Sequence, residues 1–344
     1  MNTTKRKEIP PPLSVIGCLT IGFEIVSRHL WLIALPMLFD LFLWLGPRLS
    51  VAPLLRQFTS LLLAQPAPDQ TMARQVEQAA QLLEQLGEQF NLLSLSSTLP
   101  LLNVPSLLAR HTPGMLSPLG EPHVILVTGV FALVGWGIVM VPIGLSVGFL
   151  YLNSVAHRVR ATRPAGEQDT TPGETEGVEQ AAMVSSGTGK LVRVLLFATG
   201  LLAAGTVLVP LWALLVGMTL TIAPLLGLLV WAFSLGLGSY FALHLLFVVP
   251  GVMLGGRGLL RATWESIMLI HTQFPSVVGL VMLTVLIYQG LSYVWSLPSA
   301  DSWSLLVGIL GNGCIATGLT AATFVFYQER VGYLTEMSRA SARV

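Results

Sequence analysis

Apolar runs of about 20 residues recur along this chain, and nothing else in it restricts the fold as strongly. A helix of that length crosses the hydrocarbon core of a bilayer, which is about 30 Å thick. The runs cover 29–47, 124–151, 191–218, 222–249, 274–296 and 303–327. A water-soluble domain could not hide them, because its surface-to-volume ratio leaves too little interior. Of the 344 residues, 53% are hydrophobic and only 10% are charged, against about 25% charged in soluble domains. The expected fold is therefore all-α, an integral membrane bundle of six transmembrane helices with an extracytoplasmic helical segment.

The first apolar stretch, 13–47, is too long for one straight span. Gly17, Thr20, Glu24, Ser27 and Arg28 fall on one helical face within it, so 13–28 reads as an amphipathic helix at the interface and 29–47 as the first span. Lys5, Arg6 and Lys7 resemble the charged start of a signal peptide. Pro10, Pro11 and Pro12 follow them, and the apolar stretch then exceeds signal length, so the segment reads as retained. Spans three and four run almost together, and Pro210, Thr219, Thr221 and Pro224 mark a tight hairpin between them. His157–Arg160 closes span two and Pro250 closes span four.

Charge sets the expected orientation, because loops on the cytoplasmic side are enriched in Lys and Arg. With the N-terminus inside, fourteen of the 18 Lys and Arg residues fall on the inner side, and only Arg48, Arg56, Arg74 and Arg110 fall outside. Both termini are then cytoplasmic, in a plasma membrane of bacterial type. Trp31, Trp44, Trp295 and Trp303 lie near the expected interfaces, as an aromatic belt requires. The chain organises as 1–47 (N-terminus, interfacial helix, first span), 48–122 (outer segment), 123–152 (second span), 153–190 (disordered cytoplasmic linker) and 191–344 (spans three to six). An inner interfacial segment, 251–273, and a C-terminal tail belong to the last part.

In the outer segment, Met72, Val76, Ala79, Ala80, Leu83, Leu86 and Phe90 recur every three or four residues, the pattern of an amphipathic helix over 71–91. Its other face is Gln and Glu rather than Lys and Arg, so packing on a helix of this chain or of a protein partner fits better than binding to anionic lipid. Residues 92–109 are apolar but broken by proline, and are expected to cap the outer ends of the bundle. The linker is rich in Glu, Thr, Gly and Pro with no apolar periodicity.

Candidate sites are few. Asp40 lies inside span one, and an ionisable group at that depth faces protein or water. Asn312 on span six and Gln289 on span five reach a similar depth, so Asp40, Gln289 and Asn312 form a candidate intramembrane polar cluster. Such a cluster serves either as a proton or substrate site or as a hydrogen-bond network holding helices together; Asp40 reaching Arg48 is a further option. Gly144-Leu145-Ser146-Val147-Gly148 matches a hydrolase nucleophile elbow, which needs a strand before it and a helix after it, and it lies inside an expected span instead. It also resembles the Gly-x-Ser-Gly stretch of rhomboid proteases, but Val147 stands where that glycine would be. Gly144 and Gly148 equally satisfy G-x-x-x-G, a helix-packing face, which is the reading favoured here. Gly187-Thr188-Gly189-Lys190 fails as a phosphate loop, since Val184 and Leu191 occupy the other signature positions. His244 is a lone histidine on span four and reads as a structural hydrogen-bonding group. Cys18 and Cys314 lie in apolar runs and no disulfide is expected. Prolines 36, 142 and 210 are candidates for helix kinks. No cofactor or metal motif is found, and a net charge of +1 suggests no nucleic-acid partner.

Phe23-Glu24 before His29, and Trp264-Glu265 before His271, are amphipathic segments each leading into an outward span, an echo consistent with an internal duplication. The segment from Pro250 through Arg261, Ala262 and Ser266 to Phe274 resembles a recurring pattern in bacterial polytopic membrane families of uncharacterised function, and in the membrane domain accompanying some glycerophosphodiester phosphodiesterases. That likeness covers the C-terminal end of the chain and implies a membrane module. It transfers no catalytic residue, since the chain has no soluble α/β stretch. Three function classes follow: a non-enzymatic accessory, scaffold or assembly module that contacts membrane lipids and a protein partner through 71–91; a transporter or permease for a small or lipid-like molecule with its site near Asp40; and an intramembrane enzyme, for which no catalytic constellation is found. The first is preferred because the spans hold few ionisable groups.

Overall fold

The computed structural model describes residues 11–66, 70–99, 101–109, 117–162, 176–255 and 258–341, except for the side chains of 176–188, 190, 339 and 341. The chain is an all-α integral membrane bundle. Ten α-helices are described: α1 (Val15–Arg28), α2 (Ala34–Leu45), α3 (Ala52–Leu63), α4 (Gln70–Gln89), α5 (Val130–Ala161), α6 (Glu176–Ile222), α7 (Pro224–Leu245), α8 (Val248–Gly255), α9 (Leu259–Trp295) and α10 (Leu305–Ser341). Five spans are long and apolar enough to cross a membrane, with α7 and α8 together making one of them. A sixth is obtained if α1 and the segment Leu30–Leu45, bent at 94° to each other, are taken as one span. The outer surfaces match a lipid solvent: Phe131 is 94% exposed and Leu225 76%.

The break between α1 and α2 falls at His29, where the expected division lay. Ser14 caps α1, its Oγ accepting from the Gly17 N–H at 3.1 Å. A 3-10 turn, Leu30–Ile33, leads into α2. Leu30–Leu45 spans about 24 Å at 1.5 Å per residue, which is shorter than the expected run 29–47. The run is shortened because Gly46 ends α2 and Arg48–Ser50 is extended. That segment, β1, pairs in parallel with β2 (Val124–Leu126) in the register Arg48↔Val124. Span two therefore starts later than expected, at Val130, because β-branched Val124 and Ile125 join this two-stranded ladder first.

Two further boundaries differ from expectation. Helix α6 begins at Glu176, inside the segment read as a disordered linker. Glu176 and Glu179 favour a helix N-terminus. Gln180, Ala181, Ala182 and Met183 are good helix formers, and the helix continues without a break into the apolar span. The rest of that linker, 163–175, lies outside the described residues. Pro250 does not end the helical structure: it lies in the first turn of α8, where its missing N–H would have had no partner anyway. The hairpin between α6 and α7 is as tight as expected, with Ala223 alone between them.

The chain divides into two compact units. The first comprises 1–29, 152–287 and 317–344. In it, α1 lies against α10 so closely that a Cβ on Gly22 would meet the Gly318 carbonyl and the Ala322 backbone. Phe247 stacks on Phe326 at 5.7 Å, and Tyr327 Oη donates to Glu265 Oε2 at 3.1 Å. Helix α9 is broken at Gln273 (φ −125°, ψ 26°), two residues before Pro275. The second unit comprises 30–151 and 288–316. Its core joins Leu43, Trp44, Leu49, Leu93, Leu107, Leu108, Val127, Leu305 and Ile309.

Candidate functional site

Asp40 is the most buried ionisable group among the described residues of the second unit, with 0% exposure. Its side chain leaves α2 toward the segment 92–109. That segment begins with a 3-10 helix, Leu92–Ser97, capped by Asn91, whose Oδ1 accepts from Leu93 N at 3.2 Å and from Leu49 N at 3.0 Å. The chain then turns through Leu101, which takes the left-handed conformation (φ 68°). Beyond it Leu102, Val104, Ser106, Leu107 and Leu108 are all buried. The segment packs its side chains into the core of the second unit and reaches a carboxylate.

Three donors converge on that carboxylate. Ser106 Oγ donates to Asp40 Oδ1, Leu107 N donates to Oδ2 at 3.0 Å, and Leu108 N donates to Oδ1 at 3.1 Å. Ser106 Oγ also accepts from Ala109 N at 3.0 Å, which folds 106–109 into a hydroxyl-capped turn. Irregular backbone at membrane depth needs its N–H groups satisfied inside the protein, and here a single carboxylate satisfies two of them. Its partners are all donors from one loop, and Arg48 is not among them.

The other two members of the expected cluster lie apart from this cradle. Asn312 is buried and accepts from Ser292 Oγ at 3.1 Å, while its Nδ2 has no partner. Gln289 is exposed. No hydrogen bond joins Asp40, Gln289 and Asn312 among the described residues. Ser106 escaped sequence reading, although Pro105-Ser106 ahead of an apolar run carries the local signature of a hydroxyl-capped turn.

Gly144 and Gly148 lie on the face of α5 that meets the same segment. A Cβ at Gly144 would come within 2.7 Å of the Ser96 carbonyl and of Leu99 Cδ1. A Cβ at Gly148 would run into the Leu102 carbonyl. Their missing side chains thus admit a loop backbone. Ser146 between them makes no hydrogen bond to a histidine among the described residues. In the first unit, His244 Nδ1 lies 2.8 Å from the Tyr240 carbonyl, and its ring sits 4.2 Å from Tyr240 and 5.3 Å from His271.

The α3–α4 hairpin belongs to the second unit and is tied to it. Helix α4 packs on α3 through Ala80 and Gly87, the latter facing Ala52 and Leu55. Glu84 accepts from Thr59 Oγ1 at 2.8 Å, and Arg56 pairs with Glu88 at 2.7 Å. Ser50 Oγ donates to the Gly87 carbonyl at 3.3 Å. The fold defines a multi-pass integral membrane protein whose second unit carries an anchored helical hairpin. Compared with family models, with curated proteins and with solved structures, the chain matches none.

Proposed function

We propose that this chain is a non-enzymatic accessory or scaffold module of a bacterial plasma membrane, with both termini cytoplasmic, and that it holds a membrane-protein partner through the α3–α4 hairpin. The observation that carries this reading is the division of apolar residues in the hairpin. Part of the periodic stripe of α4 is used against α3, yet Leu86 of that stripe and Leu82 one turn before it remain 60% and 61% exposed, and α3 leaves Phe58 and Leu61 exposed at 51% and 67%. Exposed apolar residues grouped on a rigid element mark interaction surfaces. The polar face of α4 carries a single basic residue, Arg74, which disfavours anionic lipid as the occupant. The saturated carboxylate of Asp40 supports an anchoring role for that residue, since all its donors belong to one loop.

The test is purification in mild detergent from native membranes, comparing the wild type with Leu82→Gln/Leu86→Gln. A stoichiometric partner that is lost in the variant supports the reading. A homogeneous wild-type protein carrying only a bound lipid or small molecule would overturn it in favour of transport, with Asp40 the next residue to change.

A further inference from the structure

We propose that Arg330, Gln273 and the first turn of α1 form a binding site for the phosphate group of an anionic phospholipid. Arg330, on α10, is only 8% exposed. Its Nη1 donates to Gln273 Oε1 at 3.1 Å and its Nη2 to the Leu13 carbonyl at 3.1 Å, while its guanidinium carbon stands 5.1 Å from the Phe326 ring centroid. All three partners are neutral. No carboxylate pairs with Arg330 among the described residues, and its Nε–H is buried without an acceptor. A guanidinium keeps its charge in any protein environment. A buried cation without a counter-charge is costly, and charged groups at membrane depth pair with something.

Glu329, the preceding residue on α10, is half-buried and makes no ion pair with Arg330 among the described residues, while Gln273 and the first turn of α1 add donors. The carbonyl that Arg330 holds belongs to the residue before the N-cap of α1, so the positive end of that helix lies beside the guanidinium. Ser14 Oγ occupies the Gly17 N–H, which leaves the N–H groups of Val15 and Ile16 without intrahelical acceptors. The break in α9 at Gln273 brings that amide onto Arg330 through its oxygen, and its NH2 group has no acceptor among the described residues. Guanidinium, amide NH2 and free helix N–H groups together suit a phosphate oxyanion. The apolar neighbours select its source. Ile16 is 69% exposed and Phe274 50%, so acyl chains have apolar side chains next to the polar donors, which a free phosphate ion would not use. A single net negative charge also favours an anionic headgroup over a zwitterionic one, whose phosphate already has a cation of its own.

The experiment places the full-length protein in nanodiscs of phosphatidylcholine, with and without phosphatidylglycerol, and counts retained lipids by native mass spectrometry. The wild type is expected to retain phosphatidylglycerol about tenfold over phosphatidylcholine, on the scale of charge-assisted hydrogen bonds. Arg330→Gln brings the two near parity, Gln273→Leu weakens the preference, and Arg261→Gln, which changes an exposed arginine outside the site, leaves it unchanged. If Arg330→Gln does not fold, the wild type and Gln273→Leu still decide. Equal retention of both lipids by the wild type would overturn the proposal. So would displacement of the lipid by millimolar inorganic phosphate, which would make the ligand a free ion. Anionic-lipid retention by Glu329→Gln but not by the wild type would assign the counter-charge to that carboxylate and would equally overturn it. None of these outcomes depends on the outer hairpin or its partner.

Discussion

At Asp40, one carboxylate organises a turn that would otherwise leave two backbone N–H groups without acceptors in the core. Hydrogen bonds to a charged acceptor contribute about 1.5–3 kcal/mol each, and an orphaned buried donor costs about 1–3 kcal/mol. Asp40→Asn keeps the shape but sets an NH2 group against donors. It should lower stability in detergent by about 2 kcal/mol and speed amide exchange at Leu107 and Leu108. Unchanged stability and exchange would remove the anchoring role. Ser106→Ala should cost about 1 kcal/mol, and the two changes should be non-additive in a double-mutant cycle. Gly148 offers a second residue-scale test. A methyl group there meets the Leu102 carbonyl, so Gly148→Ala should destabilise by about 1–3 kcal/mol. Gly135→Ala on the same helix, where nothing lies within 4 Å, should be neutral or slightly stabilising in the same thermal-shift measurement.

Among the elements, the long helices were legible because a run of about 20 apolar residues has few other solutions. The stripe Met72–Val76–Ala80–Leu83–Phe90 likewise placed α4, and its partner is this chain's own α3. What escaped was set by non-local contacts. Nothing near Arg48 or Val124 announces that they pair across more than seventy residues of chain. Equal depth along two helices made Asn312 a reasonable partner for Asp40, but depth fixes only one coordinate, and the loop 106–108 takes the carboxylate instead. G-x-x-x-G was read as a helix-packing face, whereas the groups that approach Gly144 and Gly148 belong to the segment Ser96–Leu102, which left no local trace in the helix. The hairpin gives a prediction at this scale. Gly87→Leu drives a side chain into Ala52 and Leu55 and should separate α3 from α4, seen as faster proteolysis within 64–70. Arg56→Ala should change little, because exposed ion pairs contribute under about 1 kcal/mol.

At the scale of the whole molecule, the proposed orientation assigns the α3–α4 hairpin to one side of the membrane and both termini to the other. That proposal rests on the Lys and Arg distribution, which with a cytoplasmic N-terminus puts fourteen on the inner side and four on the outer. The proposed orientation calls for an even number of crossings, which the chain has when the bent pair α1 and Leu30–Leu45 is counted as one span beside the other five. The most direct measurement is thiol labelling of intact cells with a membrane-impermeant reagent, using Gln78→Cys on α4 and Arg343→Cys in the C-terminal tail, each with Cys18 and Cys314 replaced by serine. The proposed orientation predicts labelling at 78 in intact cells and at 343 only after permeabilisation. Labelling of both positions from the same side, or the reverse order, would contradict it.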